Sequence, residues 1–358
     1  MTRGNPYLVA ALCIIIVAVT ACSTAPSVDQ YCNQGSTLLR EGRSDDALKK
    51  FEQALKLDPK CVQAEANIAY IYNQMGQFAK ALPHANSAVV LRPDFAPYYG
   101  VRAKSYKGLG EFEKADADYQ RLSSMPASGA EELFARAAAC VQVRNFVQAI
   151  ADYEKVLKLD PDDIAACINL ADIQNDQGKY ELALQNSIRA VELNGDSSLA
   201  HANKARAYQG LALNELAIEA WEQVMRCEPE RIQAYVGRAE CYENQGQKQK
   251  AQTDYERASK MEANTGSFLY QRAVARYHLS HYDDAVKDFD AVLRLEPKAE
   301  DAYYHIGLCY AAMGQYQRAL DAFNSAIKIR SDYQLALSEL NRIKVLMTKT
   351  ATAKSVPH

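Results

Sequence analysis

The sequence predicts an all-α solenoid of nine tandem 34-residue helix-turn-helix repeats with a capping helix at the C-terminal end. Three observations predict it. First, the stretch Ala47 to Pro59 returns as Ala149 to Pro161 and as Ala285 to Pro297, at intervals of 102 and 136 residues, both multiples of 34. A fixed period of that length marks stacked supersecondary units. Second, a 34-residue frame laid from Val28 starts units at Val28, Val62, Ala96, Ala130, Ile164, Ser198, Ile232, Gly266 and Glu300 and ends at Tyr333 without insertion or deletion. Third, the 358 residues are 48% apolar and 24% charged with a net charge of −3, an ordinary globular composition. A pI near 6.1 and the lack of a basic stripe speak against nucleic acid as a partner.

The residues before the frame differ from it. Arg3 supplies one positive charge, Tyr7 to Ala21 is an uncharged apolar run, and Cys22 follows. That pattern reads as a secretory signal over residues 1–21, and the run is short of the ~20 residues a membrane span needs. Val19-Thr20-Ala21-Cys22 resembles the lipobox of bacterial lipoproteins. The resemblance implies cleavage before Cys22 and lipidation (palmitate among the acyl chains) on that residue, with each buried methylene contributing ~0.8 kcal/mol to membrane binding. It also implies export: a protein held at the outer membrane facing the periplasm where there is one, otherwise at the outer face of the cytoplasmic membrane. An uncleaved anchor or a signal without lipid is the other reading of the same residues. Residues 22–27 form a short tether, so the first repeat is expected close to the membrane.

Within each unit the eighth place is small, Gly35, Ala69, Ala103, Ala137, Ala171, Ala205, Ala239, Ala273 and Gly307, and the twentieth is always Ala. Small residues at both places let two helices approach closely. Gly42, Gly76, Gly110, Gly178, Gly246 and Gly314 fill the fifteenth place, where the end of a first helix calls for positive φ. Aromatics such as Phe51, Tyr153, Trp221 and Phe289 take the twenty-fourth place, and Pro59, Pro93, Pro161, Pro229 and Pro297 stop the second helix. Pro83 falls near the start of a second helix, where it is tolerated. Residues 334–347 carry Leu337, Leu340, Ile343, Val345 and Leu346 at the spacing of one buried helical face, which would cap the array. The tail 348–358 is read as disordered.

Together these residues resemble the tetratricopeptide repeat family over Val28 to Tyr333. The resemblance implies a right-handed superhelix whose first helices line a concave groove, and a protein-interaction scaffold that binds a peptide or partner protein in it. Places two, five, six, nine, twelve and thirteen of the first helix share one face. Asn33, Asn67, Asn169 and Asn203 at place six resemble part of the asparagine ladder by which the repeats of O-linked N-acetylglucosamine transferase hold an extended peptide, since an amide offers both donor and acceptor. Tyr70, Phe134, Ile168, Asp172, Arg206, Glu240, Tyr270, Tyr304 and His305 complete the candidate groove, its aromatics serving as anchors for a partner. The other reading of these asparagines is that they are merely solvated helix residues. The carboxylate clamp of chaperone co-factors is not matched.

Arg stands at place seven in four units, as Arg102, Arg136, Arg238 and Arg272, and in those units alone place twenty-three is Asp: Asp118, Asp152, Asp254 and Asp288. Residues 16 apart on facing helices predict four structural ion pairs. No catalytic constellation, phosphate loop, metal set or cofactor motif appears, and the repeats leave little room for an enzyme domain. Of nine cysteines, Cys140, Cys167, Cys227, Cys241 and Cys309 sit at apolar places and read as small buried hydrophobes. Cys32 with Cys61, or Cys227 with Cys241, are pairs that export would allow to oxidise. The expectation is therefore a non-catalytic, membrane-tethered scaffold. Its alternative is an envelope assembly factor resembling those of type IV pili, outer-membrane barrel insertion or cell-wall enzymes, an analogy of architecture.

Overall fold

The protein is described by a computed structural model that covers residues 26–354. The signal segment, the proposed lipidation site Cys22, most of the tether and the last four residues lie outside the described residues. The described chain is helical throughout and divides into two compact units at Gly195. The first holds five helix pairs: α1 (Val28–Arg40) with α2 (Ser44–Leu57), α3 (Val62–Gln74) with α4 (Phe78–Leu91), α5 (Pro97–Gly108) with α6 (Phe112–Ser124), α7 (Ala130–Gln142) with α8 (Phe146–Leu159), and α9 (Ile164–Asp176) with α10 (Tyr180–Leu193). The second holds α11 (Ser198–Gly210) with α12 (Asn214–Cys227), α13 (Ile232–Asn244) with α14 (Lys248–Ser259), α15 (Gly266–His278) with α16 (Tyr282–Leu295), α17 (Glu300–Ala312) with α18 (Tyr316–Ile329), and α19 (Gln334–Lys354).

The two helices of a pair do different jobs. A second helix buries one stripe, as α2 does with Ala47, Phe51 and Ala54, spaced i, i+4, i+7. A first helix is packed by its own partner, by the second helix before it and by the neighbouring first helices, as α5 is by α6, α4, α3 and α7. Its burial therefore runs around most of its circumference: α3 buries Ala64, Ala66, Ile68, Ala69, Tyr70 and Ile71. Because successive first helices touch one another, they occupy the inner side of each unit. The twenty-fourth-place rings fill the space between the layers; Phe51, Tyr153, Trp221, Tyr255, Phe289 and Phe323 are the largest fully buried side chains among the described residues. A Cβ at Gly307 would stand 2.4 Å from the Phe323 ring and one at Gly237 2.4 Å from Trp221, so both glycines are cut to the ring that faces them.

Two details depart from expectation. Helix α19 runs on to Lys354 and does not stop at Met347, because Thr348 to Lys354 contains neither Gly nor Pro to end it. Its buried side is Ala336, Leu340 and Ile343, which pack with Tyr333 and Phe323, whereas Val345 is 51% exposed: it lies two residues past Ile343 and so across the helix. Pro83 is the sixth residue of α4, and the helix continues through it.

The turn between the helices of a pair imposes its backbone on whatever residue stands there. Six glycines adopt φ between 70° and 77°, and in the three units without Gly the same place is held at positive φ by Arg144 (61°), Ala212 (58°) and Ser280 (62°). For residues with a Cβ this costs about 1 kcal/mol each.

All four arginine–aspartate pairs close as two-pronged ion pairs. Arg136 donates from Nε to Asp152 Oδ2 at 2.7 Å and from Nη2 to Oδ1 at 2.8 Å. Arg102 holds Asp118, Arg238 holds Asp254 and Arg272 holds Asp288 in the same way at 2.7–2.9 Å. The remaining guanidinium nitrogen ties the pair to the preceding unit. Arg102 reaches Asn86 and Arg238 reaches Glu222 on the second helix before them. Arg136 and Arg272 instead donate to the carbonyls of Met125 and Met261, just past the ends of the shortened helices α6 and α14.

Two outcomes are expected. Ala212→Gly will raise unfolding free energy by about 0.5–1 kcal/mol, since Gly takes positive φ without a Cβ clash; unchanged stability in chemical denaturation would show that the turn carries no strain. Asp152→Ala, which strands Arg136 beside a site where the carboxylate is 0% exposed, will cost about 3–5 kcal/mol. A loss below 1 kcal/mol would mean that the pair behaves as a surface bridge.

Candidate functional site

The inner side of each unit is lined by first helices, and the structure sorts the candidate groove residues into two groups. Asn67 is 0% exposed and donates from Nδ2 to the Gln63 carbonyl at 2.8 Å, while Tyr70, Phe134, Ile168 and Asn203 are each 5% exposed. These five are buried, not solvent-facing. The reason is the all-round packing of the first helices: a place that faces out on an isolated helix is covered by the neighbouring pair. Phe134 meets Tyr153 edge-on at 5.3 Å, and Asn169, partly buried, hydrogen-bonds the Tyr153 hydroxyl. An asparagine ladder open to a peptide is thus not what place six forms; Asn33 alone of its four asparagines is exposed. Asp172 is exposed, and Arg206, Glu240, Tyr270, Tyr304 and His305 are partly buried.

The second unit brings several of these together on α13, α15 and α17. Trp221 Nε1 donates to Gln209 Oε1 at 3.0 Å, which aims the Gln209 amide nitrogen at Glu240 Oε2 and at the Gly237 carbonyl, both at 3.2 Å. Burial pushes the Glu240 carboxyl up to about 7, and nearby Glu243 adds to the shift while the Gln209 hydrogen bond opposes it. Glu243, one turn further along α13, accepts from the Tyr255 hydroxyl at 3.0 Å and lies 3.4 Å from His278 Nδ1. The His278 ring stacks on Tyr255, centroids 4.4 Å apart. Desolvation lowers the pKa of His278 and that of His305, so both imidazoles stay neutral at physiological pH.

The tautomer of His305 follows from its neighbours. Nδ1 lies 2.8 Å from the Asp301 carbonyl, which can only accept, so Nδ1 carries the proton. Tyr270 Oη, 3.1 Å from the same nitrogen, then accepts a share of that proton, and its own hydroxyl hydrogen is directed away from His305. The face therefore presents two carboxylates, two neutral imidazoles and phenol rings of Tyr270 and Tyr304. Among the described residues no group of three or more His, Cys, Asp or Glu side chains could hold a metal ion. Such a surface suits a cationic group carried on an apolar stem, which gains from carboxylate and ring alike. Gln209, Glu243 and His278 were not singled out in the sequence, although they stand at places twelve and thirteen of the marked face; their variability from unit to unit concealed them.

Models described as tetratricopeptide repeat match residues 32–96, 96–127, 141–207, 232–265 and 270–334, most of the chain between Cys32 and Gln334. Among curated proteins, the chain is 30% identical over 102 residues to a DnaJ homolog subfamily C member 7 homolog of Schizosaccharomyces pombe, covering 27% of this chain and 21% of that protein. It is 31% identical over 104 residues to the mitochondrial import receptor subunit TOM70 of Saccharomyces cerevisiae, covering 28% and 17%. The match to Hsp70-Hsp90 organizing protein 2 of Arabidopsis thaliana is 27% over 118 residues, covering 33% and 20%. The chain thus spans about a fifth of these relatives' length. Of solved structures, human IFIT1 as a dimer with m7Gppp-AAAA superposes with a TM-score of 0.58 at 18% identity over 86% of this chain and 73% of that one. Cut9 in the Cut9-Hcn1 hetero-tetramer gives 0.50 at 15% identity, over 88% and 76%. These likenesses establish the fold.

Because the Glu240 pKa is raised in the folded state, the native protein binds that proton more tightly than the unfolded chain. Its contribution to stability is complete below about pH 4.5 and lost as pH rises through about 7. Glu240→Gln will therefore gain about 1–2 kcal/mol on the native protein between pH 4.5 and pH 8, allowing for partial solvent screening. Parallel stability curves for the two proteins in urea titrations across that range would refute the shift.

Proposed function

Because the chain belongs to the tetratricopeptide repeat family, we propose that it is a non-catalytic scaffold that binds a peptide, or a protruding segment of a partner protein, on the inner side of its first helices. The observation that carries this reading is the α13–α15–α17 face, where Glu240 and Glu243 are held by Gln209 and Tyr255 beside the Tyr270 and His305 rings. The preferred anchor is a lysine or arginine side chain, its charge met by the carboxylates and its stem by the rings. Curated relatives include an organising protein and an import receptor, which supports a binding role without naming this chain's partner.

The tether belongs to the same proposal. Residues Val19 to Cys22 would place a lipid a few residues before α1, making the scaffold a membrane-bound component of a bacterial envelope. Envelope assembly, whether of pili, outer-membrane barrels or cell-wall enzymes, is the class of work that such a tethered array would serve. Among the described residues no helix is long and apolar enough to cross a membrane.

The test is crosslinking in native membranes followed by mass spectrometry, comparing wild type, Glu240→Gln with Glu243→Gln, and Cys22→Ser. The double variant is expected to lose its partners, and the captured segment, made as a synthetic peptide, to bind it about tenfold more weakly. Affinity of the wild type for that peptide will fall as pH drops from 8 to 6, because Glu240 gains a proton and with it loses its charge. Cys22→Ser should move the protein to the soluble fraction. Unchanged partners and a flat pH profile would remove the acidic face from the binding site, and capture of RNA in place of protein would overturn the scaffold reading.

A further inference from the structure

The first unit holds a pair of thiols that the binding face does not use. Cys32 lies on α1, 1% exposed, and Cys61 is the N-cap of α3, partly exposed; their sulfurs are 3.5 Å apart although 29 residues separate them in sequence. We propose that Cys32 and Cys61 form a redox-active dithiol, oxidised by a small-molecule or protein disulfide to a bond that staples α1 to the start of α3.

The two sulfurs stand in unequal surroundings, and the inequality assigns their roles. The sulfur–sulfur contact with Cys32, and after it the backbone N–H groups of Ala64 and Gln63 at the start of the helix, favour the Cys61 thiolate and bring it to about 7 against the opposing effect of burial. Cys32 is pushed well above the ordinary thiol range by the contact with Cys61 and by its deeper burial. Cys61 is thus the accessible nucleophile and Cys32 the shielded resolving thiol. In the first step the Cys61 thiolate attacks a disulfide R–S–S–R, forming the mixed disulfide Cys61–S–S–R and releasing one R–S⁻, which takes up a proton. In the second, Cys32 loses its proton to solvent as its sulfur attacks Cys61 Sγ, expelling the second R–S⁻. Two protein thiols and one R–S–S–R become one protein disulfide and two R–SH. The sulfurs must approach from 3.5 Å to the bond length of about 2.05 Å. Helix α1 is the first of the described helices, and closing that gap requires a movement of α1 against α3.

The consequence is local. The bond would close a loop around α2, so that α1 could no longer fray from α2 and α3 independently. Oxidation would lock the first helix pair onto the second, and reduction would release it.

The experiment equilibrates the full chain with oxidised and reduced glutathione at a series of ratios, then maps peptides without reduction. A linked Cys32–Cys61 peptide, the loss of two thiols per chain and at least about tenfold slower amide exchange in α1 are expected. Cys32→Ser should stall as a glutathione adduct on Cys61, and Cys61→Ser should leave Cys32 unmodified. The wild-type map decides the matter even if a variant fails to fold. A first adduct on Cys32 or Cys227, or no linked peptide in a protein with intact far-ultraviolet circular dichroism, would overturn the proposal.

Discussion

Seven of the nine helix pairs among the described residues set a ring of the second helix toward the small residues of the first, while α4 and α10 place Ala85 and Ser187 there. At the two ends of the array the small residue is glycine and the contact is close enough to exclude a methyl group: a Cβ at Gly35 would be 2.8 Å from Phe51, and one at Gly307 2.4 Å from Phe323. The alanines at place twenty, from Ala47 to Ala319, are all buried to within 2%. Close approach of backbones maximises dispersion contact and leaves no room for larger side chains. In the pairs that carry the ring, the spacing of the two helices follows from that steric condition.

The polar elements of the core are subordinate to it. The four arginine–aspartate pairs occupy places where no other unit carries both charges, and they add a third hydrogen bond that reaches the preceding unit. A buried pair of this kind gives orientation more than net stability, because desolvation of two charges offsets much of their attraction. In the same way the left-handed turn is kept at Arg144, Ala212 and Ser280 although none of them favours it. The stacking of pairs outweighs a local conformational cost of about 1 kcal/mol.

The candidate binding face inherits its character from this packing. First helices are enclosed on several sides, so only a narrow strip of each remains for a ligand. On that strip the second unit concentrates carboxylates, imidazoles and phenols whose hydrogen bonds already orient them, Gln209 by Trp221 and Glu243 by Tyr255. Preorganised groups lose little entropy on binding, which is what a scaffold for a short segment requires. The thiol pair belongs to the other unit and differs from this face in chemistry.

Much of the fold was legible because repetition is a property of sequence. The 34-residue period, the small residues and the turn glycines identify helix pairs, and the co-occurrence of Arg136 with Asp152 and its three counterparts marks residues that meet. What a single helix faces was not legible. Asn67, Tyr70, Phe134, Ile168 and Asn203 stand at places that look outward on an isolated helix, and only the packing of neighbouring pairs shows them to be buried. The same holds for Val345, exposed where a buried face was read; of the two cysteine pairs the sequence offered, packing brings the sulfurs of Cys32 and Cys61 to 3.5 Å. Sequence alone determined the period and the partners within a pair, since these repeat. Tertiary structure decided which polar groups remain accessible, since burial depends on helices distant in the chain.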